Sequence, residues 1–488
     1  GEKMKKLLIV LSIAIFSISP VYAQGSSSID TPIGKLDFFN GYPTDATSKQ
    51  LYDRMDFQRA VQVYLWAIPY VSFQSIHEEF ERLGAGDVNS LPIFENRLLP
   101  NTCVFTGNGT TIYSLNTFML NPGEPVVLEV PAGRVLGMIN NAWQHPLEDI
   151  GLPGPDRGKG GSYLILPPGF DGKVPDGYHS VQSDSYKILW LIRAFTDGKG
   201  DEFAVKKLKE IRIYRLSEKA NPPEMNTINM SPLGAQFSYP STEGYFEMMV
   251  RGLQSEYPRV EDKNMLGIMA ELGMKSGKSF QPDDRMRKIL DQAQQVGDAM
   301  AVNISFNSRN PEKYVWSDRE YAYVFLGGVP SFEKNTHHMI DSRINFAYQA
   351  ASTAKSMILK IVGVGSQYFA SQTDADGDYL DGSKRYKLHL SKDVPAKNFW
   401  SLVVYDAKSR SMIINDQRRV QIDTFDKYKR NADGTVDLYM GPTPPMGYES
   451  NWIQTNPGTG FFIYFRLYGP EEEFFDGTWK LDDIVKTK

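Results

Sequence analysis

The sequence is poor in several residue types and patterns that mark specialised proteins. It contains one cysteine, Cys103, so no disulfide can form within the chain and the fold must depend on its hydrophobic core. Its six histidines have no spacing that makes a convincing zinc site. No apolar run reaches the roughly 20 residues needed to span a bilayer. A net charge of −5 also argues against nucleic acid as a partner.

What is present is the composition of an ordinary globular protein. Hydrophobic residues make up 41% and charged residues 23% of the chain, which does not fit a disordered protein. A length of 488 residues predicts two to four domains at about 100 to 200 residues each. With 41 glycines and 29 prolines, the chain favours many strands joined by tight turns.

The N-terminus has the pattern of a secretory signal peptide. A positively charged start is followed by an apolar run over residues 7–18 and then by small residues at the cleavage spacing. We therefore predict a signal peptide over residues 1–23 and an exported protein, either periplasmic or extracellular. The same signal serves both destinations, so the sequence does not separate them.

The pattern of the chain changes several times after this segment. Residues 24–48 are rich in Ser, Gly, Pro and Thr and predict a linker. Residues 49–218 predict a helix followed by a β-sandwich, residues 219–364 a mainly helical region, and residues 365–488 a second β-sandwich. The predicted fold class is multidomain α+β, with two antiparallel β-sandwich or jelly-roll-like units and a helical segment between or beside them.

Two of the helical patterns make specific predictions. The first long apolar repeat contains Pro69, which predicts one or two helices broken near that residue. A later repeat, NFAYQAASTAKSMILKIVG at residues 345–363, is helical by periodicity.

A glycine-rich loop, GLPGPDRGKGG at residues 151–161, is the first candidate for a functional site. Its five glycines let the backbone approach another group closely, and Arg157 and Lys159 add two cations. One hypothesis is an anion or carboxylate site built from backbone N–H groups and these cations. The alternative is an ordered Ω-type loop over the end of a sandwich.

Residues just before this loop have aromatic and acid–base character. Trp143 could contact a ligand ring, while His145 and Asp149 could pair as base and acid if the segment turns helically. A single histidine is more often structural, and that alternative stays open.

The C-terminal region contains a second group of candidates. In FFIYFRLYG, Tyr464 and Arg466 alternate with apolar residues, so one strand face is polar and aromatic. Such a face binds a ligand or is covered by another domain. Together with Trp452, these residues are the predicted ligand contacts of this region.

Asp406 and Arg410 bracket a short turn in the same region. A structural salt bridge between the two side chains is one interpretation of this spacing. If the two residues instead face a cleft, Arg410 could bind a carboxylate or phosphate, and Asp406 could act as a base.

The acidic segment TDADGDYLDG could bind a cation. Asp374, Asp376 and Asp378 supply enough carboxylates for calcium, but their spacing does not match an EF-hand loop. An acidic hairpin turn is the favoured interpretation, and no cofactor or metal is predicted.

Several long strings in the chain resemble a known pair of families. WQHPLEDIGLPGPDRGKGGSYLILPPGF, NFWSLVVYDAKSRSM and NWIQTNPGTGFFIYFRLYGP are similar to the domain-of-unknown-function families 1254, at the N-terminus, and 1214, at the C-terminus. The resemblance implies an exported bacterial protein with two β-sandwich-like domains and a helical part. It implies no activity.

Three functions agree with these observations. The first is an exported hydrolase or carbohydrate-active enzyme with a cleft between its β-domains, using Asp149, Asp406 and His145. The second is a non-catalytic protein that binds a small molecule or glycan, or has a structural role in the envelope. The third is a metal-dependent enzyme, and a homo-oligomer is left open.

Overall fold

The structure is a computed structural model that describes residues 25–196, 198–242, 244–358 and 360–487. The predicted signal peptide lies outside the described residues. Among the described helices, none is both long and apolar enough to cross a membrane. The described residues divide into two compact units, one up to residue 57 and the other from residue 58 onward.

The first unit contains strands where the sequence predicts a linker. Three short strands pair in the order β1-β2-β3, and all pairs are antiparallel. Gly34, with φ of 110°, follows the tight turn between the first two strands, a conformation that a glycine adopts without strain. The elements of this segment are β1 (Ser26–Thr31), β2 (Gly34–Phe39), β3 (Tyr42–Pro43) and the start of helix α1 (Asp45–Arg82).

Helix α1 runs through Pro69 without a break, so the prediction of a break there is wrong. A proline inside a helix costs about 3 kcal/mol because it removes one hydrogen bond and clashes with the preceding turn. Tyr70, Phe73 and Phe80 on the following turns are fully buried in the main core. Their burial explains why the helix continues past the proline.

The N-terminal β-region consists of two sheets. The four-stranded sheet has the order β10-β9-β6-β12, and the six-stranded sheet has the order β13-β4-β5-β11-β7-β8. The pairs β9–β10 and β4–β13 are parallel, and the others are antiparallel. The elements are β4 (Ser90–Phe94), β5 (Ile112–Met119), β6 (Val126–Val130), β7 (Val135–Asn141), β8 (Pro146–Gly151), β9 (Gly161–Leu166), β10 (His179–Gln182), β11 (Lys187–Ala194), α2 (Asp201–Leu208), β12 (Arg212–Arg215), a 3-10 helix (Leu216–Glu218) and β13 (Asn226–Asn229).

The middle of the chain is mainly helical, as its apolar periodicity predicts. The longest helix of this region begins after Asp283, whose carboxylate accepts a hydrogen bond from the backbone N–H of Met286 at 2.8 Å. The elements are α3 (Tyr245–Leu253), α4 (Lys263–Glu271), α5 (Asp284–Phe306), β14 (Ala322–Tyr323), β15 (Glu333–Lys334), β16 (His337–His338), α6 (Ile340–Gln349) and α7 (Lys355–Ile358).

The C-terminal β-region also has two sheets. Their orders are β14-β17-β23-β19-β20 and β22-β21-β18-β24, and β21–β22 is the only parallel pair among the described strands of these two sheets. The elements are β17 (Ser366–Ser371), β18 (Arg385–Leu390), β19 (Ala396–Asp406), β20 (Gln421–Asp423), β21 (Val436–Gly441), a 3-10 helix (Glu449–Asn451), β22 (Trp452–Gln454), β23 (Phe461–Pro470), α8 (Glu472–Phe475) and β24 (Val485–Thr487).

Two hydrophobic cores explain how these layers are held together. One core lies between the two N-terminal sheets and contains alternate residues of β11, such as Trp190 and Ile192. The other core includes Leu189 from the opposite face of β11, aromatic residues of α1 and α6, and most of the C-terminal sheets. The six-stranded sheet is therefore buried on both faces, with one face directed at the C-terminal region.

The predicted fold class, multidomain α+β with mostly antiparallel sheets, is confirmed. The domain boundaries proposed from the sequence stay a prediction, because the larger core is shared between the regions that those boundaries separate.

Candidate functional site

A cavity of about 100 Å³ lies between the six-stranded N-terminal sheet and the five-stranded C-terminal sheet. We call it the inner cavity. Arg193 of β11 lines it from one side, and Tyr464 and Arg466 of β23 line it from the other. Every residue of its described lining is buried or half-buried.

Arg466 has only part of its hydrogen-bonding capacity satisfied. Its Nη2 donates to the carbonyl of Thr106 at 2.8 Å, whereas its buried Nη1 has no partner. The guanidinium lies 5.4 Å from the ring of Tyr368, 5.7 Å from that of Tyr405 and 5.1 Å from that of Tyr464. Aromatic faces stabilise a cation but leave its N–H groups free to donate.

Arg193 is in a similar situation on the opposite wall. It pairs with Tyr113 in the register of β11 and β5, and its guanidinium lies 5.8 Å from the rings of Tyr113 and Tyr468. Its Nη1 donates to the Tyr468 hydroxyl at 3.5 Å, a long contact, and its Nε has no partner.

Both guanidinium groups carry a charge that no carboxylate balances. In the part of the chain that the structure describes, neither Arg193 nor Arg466 forms an ion pair. Burial raises the pKa of Tyr464 and Tyr468 far above the usual range, so both stay neutral phenols. An unpaired buried charge costs several kcal/mol, and a bound anion would remove much of that cost.

A tightly held loop forms one wall of the inner cavity. Thr106 has a left-handed backbone, with φ of 48°, and its N–H donates to the carbonyl of Arg410 at 3.1 Å. The hydroxyl of Tyr405 donates to the carbonyl of Gly107 at 2.6 Å. A Cβ at position 107 would lie 2.6 Å from the side chain of Val104, so only glycine fits. Contacts from the C-terminal domain thus fix this N-terminal loop.

A second wall is the turn between α6 and α7, where the sequence predicts continuous helix. That prediction is wrong at residues 350–354. Ser352 has a φ of 64°, and its N–H donates to the side chain of Gln144 at 2.6 Å. The amide of Asn140 exchanges two hydrogen bonds with the backbone of Thr353, at 2.7 and 3.1 Å. These side-chain contacts outweigh the helical preference of the segment, and a left-handed residue in such a place is common at functional sites.

A larger cavity of about 220 Å³, the outer cavity, lies on the other side of Phe346. Two of its lining residues, Trp143 and His145, are among the sequence-predicted site residues. The rings of Trp66 and Trp143 are 4.5 Å apart and tilted by 49°. Burial lowers the pKa of His145 below its usual value, so this imidazole stays neutral near pH 7.

The predicted ligand residues of the C-terminal domain are only partly brought together. Tyr464 and Arg466 line the inner cavity, and the Tyr464 hydroxyl donates to Gln349 at 2.9 Å. Trp452 lies at the start of β22, where its indole N–H donates to the carbonyl of Gly441 at 2.8 Å.

The glycine-rich loop is closed by its own aspartate. The carboxylate of Asp156 accepts from the backbone N–H of Gly151 and from the hydroxyl of Tyr163. The backbone N–H groups of Arg157 and Lys159 donate to carbonyls within the loop, and both side chains are exposed. An anion site there stays a prediction.

Asp149 and His145 do not form the pair that a helical turn would allow. Residues 146–151 form strand β8, in which residues four apart are separated by roughly 13 Å. The carboxylate of Asp149 accepts from the backbone N–H groups of Lys355 at 2.9 Å and Ser356 at 2.8 Å. Burial raises the pKa of this carboxyl despite those bonds.

Asp406 and Arg410 are likewise separate in their contacts. The Asp406 carboxylate accepts from the backbone N–H groups of the next turn at 3.1 and 2.7 Å, and the two side chains form no ion pair with each other. The Arg410 guanidinium is buried against the rings of Phe105, Tyr239 and Tyr348, at 4.7, 5.2 and 4.2 Å. Of these three rings, that of Phe105 lines the inner cavity.

The carboxylates of the acidic turn pair with a lysine from strand β24. Lys486 lies 3.1 Å from Asp374, 3.1 Å from Asp376 and 2.6 Å from Asp378. Over the described ranges, no group of three histidine, cysteine or acidic side chains is arranged to hold a metal ion. Calcium binding at this turn stays a prediction.

Arg193 is the functional candidate that sequence reasoning missed. The signal was available, because ILWLIRAF places one arginine inside an otherwise apolar run of strand character. An arginine in such a strand is buried with its neighbours. Arg466 in FFIYFRLYG has the same pattern, and the two strands meet only in the folded protein.

Comparison with solved structures concerns the fold alone. The VPA0106 protein from Vibrio parahaemolyticus, known from a crystal structure, matches with a TM-score of 0.54 and 18% identity, over 89% of this chain and all of its own. An uncharacterised protein from Burkholderia cenocepacia aligns with a TM-score of 0.39 and 12% identity, over 90% of this chain and 97% of its own. No curated protein matches this sequence.

Two family models match the sequence on either side of the inner cavity. The model described as "Protein of unknown function (DUF1254)" matches residues 88–215, which include Arg193. The model described as "Protein of unknown function (DUF1214)" matches residues 365–472, which include Arg466. The chain is therefore similar to proteins that combine an N-terminal DUF1254 region with a C-terminal DUF1214 region.

Proposed function

We propose that this protein binds a small organic anion, such as a short-chain carboxylate, in the inner cavity. The observation that carries the proposal is the pair of buried guanidinium groups, Arg193 and Arg466, which have unpaired N–H groups and no acidic partner in the described structure. Guanidinium groups form strong charge-assisted hydrogen bonds with carboxylates and phosphates.

The rest of the lining supports a ligand with an apolar part. Leu115, Met138 and Phe325 are among the hydrocarbon and aromatic side chains that surround the arginines. A cavity of about 150 Å³ accommodates benzene, so about 100 Å³ suits a smaller ligand of the size of acetate or butyrate. A sugar ring is too large for this space, which supports a small acid over a glycan.

The lining supports binding over hydrolysis. A hydrolase needs a general acid and a base near the scissile bond, usually carboxylates or imidazoles. The described lining of the inner cavity contains neither, and Asp149 and Asp406 instead accept hydrogen bonds from backbone N–H groups of different turns. Hydrolase activity stays a hypothesis from the sequence.

The test is calorimetric titration and thermal unfolding of the purified protein with acetate, butyrate and inorganic phosphate. An anion at 100 times its dissociation constant should stabilise the fold by about 2.7 kcal/mol. We expect Arg466→Met to abolish this shift and Arg430→Met, at an exposed arginine, to preserve it. Butyramide, the neutral analogue of butyrate, should not stabilise the protein. A shift that survives Arg466→Met, or no shift with any of these anions, contradicts the proposal.

We also propose that the chain is exported, on the basis of the signal-peptide pattern over residues 1–23. Expression of the full chain in a Gram-negative host should yield a periplasmic or secreted product. Its mass should be that of a chain whose first residue is Gln24. A product that keeps the apolar run and stays in the cytoplasm would contradict export.

A further inference from the structure

The outer cavity contains a further arginine that, like Arg193 and Arg466, forms no ion pair within the described residues. Arg343 of α6 lines it, and in the described part of the chain its guanidinium forms neither a hydrogen bond nor an ion pair. Its guanidinium lies over the ring of Trp143, 5.5 Å from the ring centroid. The nearby Arg259 guanidinium lies 4.7 Å from the same ring.

Two of the three acidic residues that line the outer cavity pair with Arg259, and the third contacts a histidine. Arg259 pairs with Asp262 at 2.6 Å and with Glu261 at 2.9 Å. Glu333 lies 3.1 Å from His338. Burial, together with the charge of Arg259, lowers the pKa of Arg343 to about 10, although the carboxylates of Asp262, Glu261 and Glu333 act in the opposite direction.

The residues that line the two cavities differ in exposure. Glu333, His338 and Ile340 on the outer rim are exposed, and the lining of the inner cavity contains no exposed described residue. Phe346 lines both cavities, is 4% exposed and stacks on Phe325 at 4.7 Å. A ligand that reaches the inner cavity through the outer one must pass this ring.

We propose that the outer cavity is a second anion-binding site, where Arg343 binds the carboxylate and the Trp66–Trp143 pair contacts the apolar part of the ligand. From this site, small anions reach the inner cavity when the side chain of Phe346 rotates. The second step rests on the function proposed above, whereas binding in the outer cavity does not.

Cavity size allows the two sites to be tested separately. Benzoate is larger than benzene, which needs about 150 Å³, so it fits about 220 Å³ but not about 100 Å³. In calorimetric titrations of the purified protein, benzoate should bind to the parent and to Arg466→Met but at least 10-fold more weakly to Arg343→Met. Butyrate should bind to the parent and should not bind measurably to Arg466→Met.

The outcomes distinguish the two proposals. Butyrate binding that depends on Arg466, with no benzoate binding, overturns the outer site and leaves the inner site supported. Benzoate binding that is lost in Arg466→Met but kept in Arg343→Met also overturns the outer site. Benzoate binding that depends on Arg343, with no binding of small anions inside, supports the outer site and overturns the function proposed above.

The role of Phe346 is tested by kinetics. In stopped-flow tryptophan fluorescence, Phe346→Leu should raise the association and dissociation rates of butyrate by 10-fold or more and leave the dissociation constant within about threefold. Phe474→Leu, a buried phenylalanine outside both cavities, is the control. Rates in Phe346→Leu equal to those of the control overturn the route past Phe346.

Discussion

Strand β11 carries two buried cations on the same face, one near each end, and their surroundings differ. Lys187 donates to Gly252 at 2.8 Å and to Gln74 at 3.0 Å, and lies 4.0 Å from the carboxylate of Glu256. Arg193, six residues further along, has aromatic neighbours and no acidic partner in the described structure.

The difference indicates which end of the strand has a structural role and which binds a ligand. At Lys187 the protein supplies the counter-charge itself, because Glu256 also accepts from the backbone N–H groups of Tyr186 and Lys187. At Arg193 the counter-charge is missing, and the space beside the guanidinium is a cavity. A buried cation is therefore a sign of a ligand only where its anion is absent.

The largest predicted effect on stability is at the Lys187 end of β11, which we call the paired end because Glu256 supplies the counter-charge. Glu256→Gln should lower the free energy of unfolding by about 3 to 5 kcal/mol, because it leaves Lys187 buried without its counter-charge. The amide would also place an N–H₂ group against a backbone donor. Urea unfolding measures the loss, with the exposed Glu210→Gln as control. A loss under 1 kcal/mol would show that the pair does not stabilise the fold.

The paired end should also make stability depend on pH. Burial, with a smaller effect of Lys187, lowers the pKa of His77 to about 4, and the ring binds Thr117 at 2.9 Å. Because the unfolded imidazole has a pKa near 6.5, its contribution is complete above pH 6.5 and is lost as the pH falls towards 4. The loss is roughly 3 kcal/mol at most.

The comparison that isolates this group uses His77→Gln. The urea midpoint of this variant should fall less than that of the parent between pH 7 and pH 4.5, because the remaining titratable groups are the same in both proteins. Parallel pH curves would mean that His77 has an ordinary pKa in the fold.

At the Arg193 end of β11, we predict the smallest effect on stability. We predict a large effect on ligand binding there. Arg193→Met should change the free energy of unfolding by about 1 kcal/mol or less, because it leaves no buried carboxylate without a partner. Butyrate should bind at least about 30-fold more weakly, which corresponds to a loss of about 2 kcal/mol. Calorimetric titration and urea unfolding of the same variant provide both values. A large loss of stability with unchanged binding would assign Arg193 a structural role.

The sequence predicted much of the architecture because short-range patterns carry it. Alternation in the runs that contain Tyr464 and Arg466 placed both side chains on one strand face, and that face is covered by another domain. The apolar periodicity also gave the helical middle region. Pro69 and Ser352 were exceptions, because tertiary contacts there outweigh local helical preference.

The candidate site was less accessible to sequence reasoning. Asp149, Asp406 and Arg157 have the residue types of catalytic or binding groups, but residue type does not show which backbone N–H group a carboxylate accepts from. Arg193 lies in an otherwise apolar run, a pattern that predicts a buried strand and not a binding residue.

The sequence by itself determined the class of fold, the two β-regions, the helical middle and the pattern of an exported protein, since these depend on composition and on periods of two or 3.6 residues. The tertiary structure alone decided that Arg193 and Arg466, 273 residues apart in the numbering, share one cavity. It also decided that no carboxylate of the described residues pairs with either guanidinium, because whether a buried charge is compensated depends on distances between elements that no local pattern encodes.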